Sequence, residues 1–223
     1  MAEKHGPKIL KALEGLEKRK DKLLELGQEM MSAYGGSLYP VDLMAIGAIK
    51  RTISMSGGIR VLIESFNMIC ARSLLRLQID TALRFFSVFI VKNPHAFALK
   101  VLRGRQINRM KDASGKLMTD AYLISKLEPD YPWLPIVYKN LSGYVHFSNQ
   151  HLFSPVQSVD NGSRTVQYVI HEQDTKYAEF SWVEVIDCFN ESTDIFIKYL
   201  KGWIFTKENP KFVAELKKKL ERG

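Results

Sequence analysis

Only two of the 223 residues are cysteine, Cys70 and Cys188. Two thiols cannot build a disulfide framework or a cysteine zinc cluster, and a reducing compartment is the natural setting. Long apolar runs are scarce as well. Beside the most helical part of the chain, the longest uncharged apolar run is Phe85–Val91, far below the roughly 20 residues of a membrane span. No membrane partner is expected. Residues 1–20 carry nine charged side chains and no apolar h-region, so no secretory signal is expected and the expected location is cytoplasmic. Internal repeats and low-complexity segments are absent too.

What is present is enough for a sizeable core. The hydrophobic fraction is 46%, which excludes a wholly disordered chain. The length suits one domain, or one domain with an insertion. The formal net charge of +8 is compatible with a polyanion or an acidic partner without identifying either.

The stretch Ile69–Val91 lacks proline and glycine and is apolar around nearly the whole helical wheel. That pattern describes a helix running through a core. One charged line interrupts it: Arg72, Arg76, Asp80 and Arg84. Members four apart stand on successive turns, each about 40° round from the last. Asp80 is therefore expected to pair with both Arg76 and Arg84. Three cations face one anion, so the missing counter-charges come from Glu64, Asp120 or the acidic face Glu184, Asp187, Glu191 and Asp194, or from a ligand's phosphates.

Other elements follow from periodicity and punctuation. Leucine and methionine spacing gives an amphipathic helix over about 7–33, stopped by Gly35-Gly36. Its run Glu17–Lys22 reads as a solvated charged face. Pro40 opens a second helix, and Gly57-Gly58 either interrupts it or permits a close helix contact. Asn67 marks either a turn or a continuation. Short helices are expected over His95–Arg103, over Ala121–Leu127 with Asp120 as cap, and from Pro132 to about His146. Gly115-Lys116 lacks the remaining glycines of a phosphate loop. The β-branched run Thr165–Ile170 is expected to pair with Lys176–Phe180 as a hairpin over about 163–180. Ser181-Trp182-Val183-Glu184 reads as a capping box opening a helix to about Phe205. Asn209-Pro210 starts a last helix with a basic end at Lys217-Lys218-Lys219 and Arg222. The expected fold is mostly α: a bundle around a buried helix at about 69–91, with a small hairpin insertion. A single domain over 1–223 then divides into a bundle at 1–152, a loop and hairpin at 153–180, and C-terminal helices at 181–223.

The second constellation is Tyr138–His151. Ser142 and His146 stand four apart on one side of a helix. His146 and His151 could share a metal, but no third ligand has a recognisable spacing, and no cofactor is expected. His146 reads either as a histidine at a helix C-terminus bonding a carbonyl or as an acid–base group. A serine nucleophile at Ser142 would need a base and an oriented third group, and no such signature is present.

The pairing of Ala71–Asp80 with Tyr138-x-x-Leu141-Ser142-x-Tyr144-Val145-His146 resembles a group of helical bacterial proteins similar to the HEPN-like and abortive-infection families. The resemblance covers about residues 40–152. It implies an up-down helical bundle, dimeric in many members, acting as a toxin or component of antiviral defence. HEPN ribonucleases cleave RNA without metal, using an arginine and a histidine four to six intervening residues apart. Here Lys139 stands seven before His146 and Asn140 six before it, so neither position supplies the arginine. Arg164 and His171 have the spacing but fall in an expected strand. The resemblance thus implies His146 as acid–base, with Arg76, helped by Arg72, on the phosphate and Asp80, Arg84, Ser142 and His151 in support. Two functions follow as expectations: a metal-independent endoribonuclease, or a non-catalytic helical module that binds a partner protein or nucleic acid. A homodimer is expected in either case.

Overall fold

The structure, a computed structural model, describes residues 5–146, 148–212 and 215. Eight α-helices, counted among these residues and excluding the turn of helix after Asn209, surround one core with a two-stranded sheet at its side. α1 (Pro7–Ser32) has Pro at its first helical position and buries Leu13, Leu16, Leu23 and Met30. α2 (Pro40–Glu64) runs unbroken through Gly57-Gly58. A Cβ added at Gly58 would lie 3.1 Å from the Leu74 side chain, so glycine here permits close contact with the next helix.

α3 (Met68–Phe86) is the central element. It packs against α2, against α6 (Leu134–Val145) and against α8 (Glu179–Glu208). Asn67 separates it from α2 and caps it, its side-chain oxygen accepting from the Cys70 N–H at 3.0 Å. Two more N-terminal donors of α3, on Met68 and Ile69, reach the Asp174 carboxylate at 2.9 and 3.4 Å. The helix is shorter than expected. It passes into a 3₁₀ turn at Ser87–Phe89, a common way for an α-helix to tighten at its end. α4 (Pro94–Leu102), α5 (Asp120–Leu127) and α7 (Asn149–Phe153) complete the helices.

α8 buries Trp182, Ile186, Phe189, Phe196, Leu200 and Trp203. Full burial of such a side chain is worth about 1.5–3 kcal/mol. Phe196 meets Phe85 of α3 edge-on at 5.0 Å, the arrangement aromatic pairs favour. At the far end of α8, Lys207 is buried and forms a 3.0 Å ion pair with Asp42. Trp203 donates to the same carboxylate at 2.7 Å, as does the Tyr39 N–H. The Lys207 ammonium also donates to Met30 O at 2.7 Å, so this charge pair ties α1, α2 and α8 together with its hydrogen bonds satisfied.

Four boundaries differ from expectation. The sheet pairs β1 (Val156–Asp160) with β2 (Thr165–Tyr168), antiparallel, and Lys176–Phe180 forms no strand. The Asp160 side chain accepts from the Gly162 N–H at 2.8 Å, and that local turn closes the nearer pairing first. The cap of α5 is Thr119, whose hydroxyl accepts from Tyr122 N–H. Asp120, its first helical residue, turns inward. α6 begins at Leu134, two residues beyond Pro132. α8 begins at Glu179 after Ala178, with no side-chain cap, so Ser181 sits inside the helix and makes no capping box. The chain is helical again at Pro210–Phe212, and the basic end, Lys217–Lys219 and Arg222, lies outside the described residues. No helix among the described residues is long and apolar enough to cross a membrane.

Candidate functional site

Two of the four charged residues on α3, Arg76 and Arg84, converge on a carboxylate from outside the helix. Arg76 donates to Asp120 at 3.3 Å. Arg84 also bonds Asp120, and meets Asp80 at 3.2 Å. Among the described residues Asp80 pairs with Arg84 and not with Arg76. The outside counter-charge is thus Asp120, one of the carboxylates the sequence put forward. Arg76 is diverted to Tyr138: its guanidinium lies over the ring, 3.6 Å from the centroid, and donates to the hydroxyl. That hydroxyl donates in turn to Asp120. Burial alone would raise the Asp120 carboxyl, but the Tyr138 hydrogen bond and the charges of Arg84 and Arg76 outweigh it and hold the group below its ordinary value. Burial first, and then the bond to Asp120, push the Tyr138 phenol up.

The line is half-buried. The side chains of Arg76, Arg84 and Asp80 keep 15%, 21% and 28% of their exposure, so solvent weakens each pair without dissolving the network. Its geometry follows from helices α3 and α6 running in opposite directions: Arg76 meets Tyr138, and one turn back Arg72 meets Tyr144.

Arg72 differs from its neighbours. It donates to the Tyr144 hydroxyl and lies 4.6 Å from the Tyr144 ring and 5.1 Å from the Tyr177 ring. Both rings attract the cation. No carboxylate pairs with it among the described residues. Arg72 opens on a cleft of about 280 Å³ between α3, α6 and α8, bordered by Asn140, Tyr144, Gln150, Glu184 and Cys188. Burial, followed by Glu184, Asp187 and Glu191, pushes the Cys188 thiol up to about 12. It is therefore a protonated wall group at neutral pH and no nucleophile.

The remaining residues singled out from sequence lie apart. His146 is the exposed C-terminal flank of α6, its N–H donating to Ser142 O at 3.2 Å. It does not border the Arg72 cleft. The Ser142 hydroxyl donates back to Tyr138 O at 3.0 Å. His151 meets Tyr144 edge-on at 6.0 Å and borders a separate cavity of about 330 Å³ under the hairpin. Among the described residues, no group of three or more His, Cys, Asp or Glu could hold a metal. The structure thus joins Arg76, Asp80 and Arg84, leaves Arg72 one turn away, and puts His146 outside the cleft.

Sequence reasoning passed over Tyr138, Tyr144 and Tyr177 as partners of the arginines. The first two were visible in the quoted motif at positions that face α3. Tyr177 carried no signal, because the loop before α8 brings it back. Three cations of the first helix are also engaged: Arg19 with Asp194, Lys20 with Glu17, and Lys22 with Glu25 at 2.9 Å. Comparisons of the chain with protein-family models, with curated proteins and with solved structures give no match.

Proposed function

We propose that this chain is a non-catalytic helical interaction module that pairs with a second copy of itself through the segment 152–180. The observation that carries the reading is where the large exposed apolar side chains fall. Phe153, Tyr168, Val169, Ile170 and Phe180 are 68%, 60%, 50%, 92% and 72% exposed, all within or beside the hairpin. Scattered exposed apolar residues are ordinary, but a concentration of them marks an interaction surface. A two-stranded hairpin is marginal by itself, and here every strand residue but Val156 is exposed. Its antiparallel edges are self-complementary about a two-fold axis, which makes a second copy the simplest occupant.

The arginine line supports a structural role beside this. Asp120 takes up Arg76 and Arg84, and the carboxylates of α1 and α8 take up cations that an RNA would otherwise meet. The test is the mass in solution. The reading expects a dimer that Phe153→Asp with Ile170→Asp converts to a folded monomer, with melting temperatures that coincide at matched low concentration. A monomeric parent chain sinks it.

The metal-independent ribonuclease stands as the second reading, in a HEPN-like toxin or defence component. Arg72 favours it: an arginine without a carboxylate opens to solvent beside the helix that ends at His146. On that reading purified protein cleaves a mixed RNA pool in the presence of a chelator, and His146→Ala abolishes cleavage while the fold persists. An RNA pool left intact over hours removes it.

A further inference from the structure

The cleft at Arg72 holds two opposite charges that do not meet. Arg72 projects from α3 with its guanidinium over the rings of Tyr144 and Tyr177. One guanidinium N–H goes to the Tyr144 hydroxyl, no other acceptor takes Arg72 among the described residues, and the planar fork suits a carboxylate. Glu184 of α8, exposed, lines the same cleft. Neither residue forms an ion pair among the described residues, with the other or with a third group. The lining also holds buried apolar side chains: Leu75, Leu141 and Val185 are 2%, 4% and 3% exposed. Asn140 and Gln150 add neutral polar groups at the rim. At about 280 Å³ the cleft falls a little below the roughly 300–1,000 Å³ of sites for drug-sized ligands.

From this arrangement we infer that the cleft binds a small zwitterion, a free α-amino acid with an aliphatic or aromatic side chain. The carboxylate lies on the edge of Arg72, the ammonium faces Glu184, and the side chain rests on Leu75, Leu141 and Val185. A simple anion such as phosphate uses only half of the site and is opposed by Glu184. A peptide exceeds its volume. The inference is independent of self-association, because it is read from ligand binding whatever the mass of the protein.

The experiment is calorimetric titration of the full chain, with melting temperature as a parallel readout. The probes are L-leucine, L-phenylalanine, N-acetyl-L-leucine and L-leucinamide, at constant ionic strength. L-Leucine and L-phenylalanine are expected to bind saturably and raise the melting temperature. N-Acetyl-L-leucine, lacking the ammonium, and L-leucinamide, lacking the carboxylate, are each expected to bind at least about tenfold more weakly than L-leucine. Arg72→Gln is expected to abolish the binding. Glu184→Gln, at an exposed position that does not endanger folding, is expected to weaken L-leucine at least about tenfold and leave N-acetyl-L-leucine unchanged. No saturable binding of either amino acid at up to about 10 mM overturns the inference. So does N-acetyl-L-leucine binding as tightly as L-leucine, or L-leucine binding unaltered by Glu184→Gln.

Discussion

Between Leu141 and Trp182 no described residue is a buried hydrophobic, whereas α8 buries apolar residues along its whole length from Trp182 to Ile204. The segment is the poorer of the two in apolar residues, and it places them in the opposite way. In the bundle, apolar residues recur at helical spacing and each finds a partner helix. In the segment from His146 to Ala178 they alternate or cluster, and polar ties hold the segment in place. Asp174 caps α3, Val169 N–H donates to Pro155 O at 2.8 Å, and Lys176 donates to the carbonyl of Ser154. The bundle is therefore complete as a folded unit without burying the segment, and the exposed apolar residues of the segment remain available to a partner. Substitutions in the bundle should move stability, and those in the segment should move association.

The largest effect is expected at Lys207→Met. The Asp42 carboxylate keeps its bonds from Trp203 and Tyr39 but loses its only buried cation. Breaking one side of such a pair costs about 3–5 kcal/mol, measurable by urea unfolding. Asp120→Ala comes next. Two arginines and Tyr138 lose a shared acceptor, and the loss is on the order of 2–4 kcal/mol once the buried-pair figure is discounted for partial exposure. Asp120→Asn should cost less, since the shape and one acceptor oxygen remain.

Acid should sharpen the same contrast. The carboxyl of Asp120 is lowered in the folded state, so it binds its proton more readily when unfolded. Its stabilisation is present above the unfolded value of about 3.9 and is lost as pH falls through the lower folded value. Melting temperature against pH should fall below pH ~4 in the parent chain and more gently in Asp120→Asn. Identical slopes would show that the network contributes nothing to acid stability. Asp80→Ala ranks below these, with a loss of about 0.5–1 kcal/mol, because Asp80 serves Arg84 alone and Arg84 keeps Asp120. A loss as large as that of Asp120→Ala would reverse the order of the two carboxylates.

Much of the bundle was legible in the sequence because its signals are local. The spacing of Leu13, Leu16 and Leu23, Pro7 at the start of α1, and the four-residue line on α3 each need only neighbouring turns to interpret. Asp120 was one of several carboxylates that could answer the arginines. Choosing it required the path of residues 103–119, which no spacing encodes. The hairpin register failed for a related reason. Thr165–Tyr168 is equally β-prone toward either side, and the turn at Asp160, not strand propensity, selects β1 as its partner. The apparent capping box at Ser181 was overridden by tertiary contact: Tyr177 is drawn to Arg72 and Asp174 to the start of α3, and α8 sets out from there. The cleft at Arg72 was the least legible part, since four separate segments build it.

In the segment, single polar substitutions such as Ile170→Ser should change unfolding free energy by less than about 0.5 kcal/mol. A larger loss would mean that the hairpin belongs to the core after all. The most direct test of the central contrast is light scattering joined to thermal unfolding on Phe153→Asp with Ile170→Asp, beside the parent chain. The account predicts a dimeric parent, a monomeric variant and melting temperatures that coincide at matched low concentration. A variant that stays dimeric, or one that loses its fold together with its dimer, would contradict it.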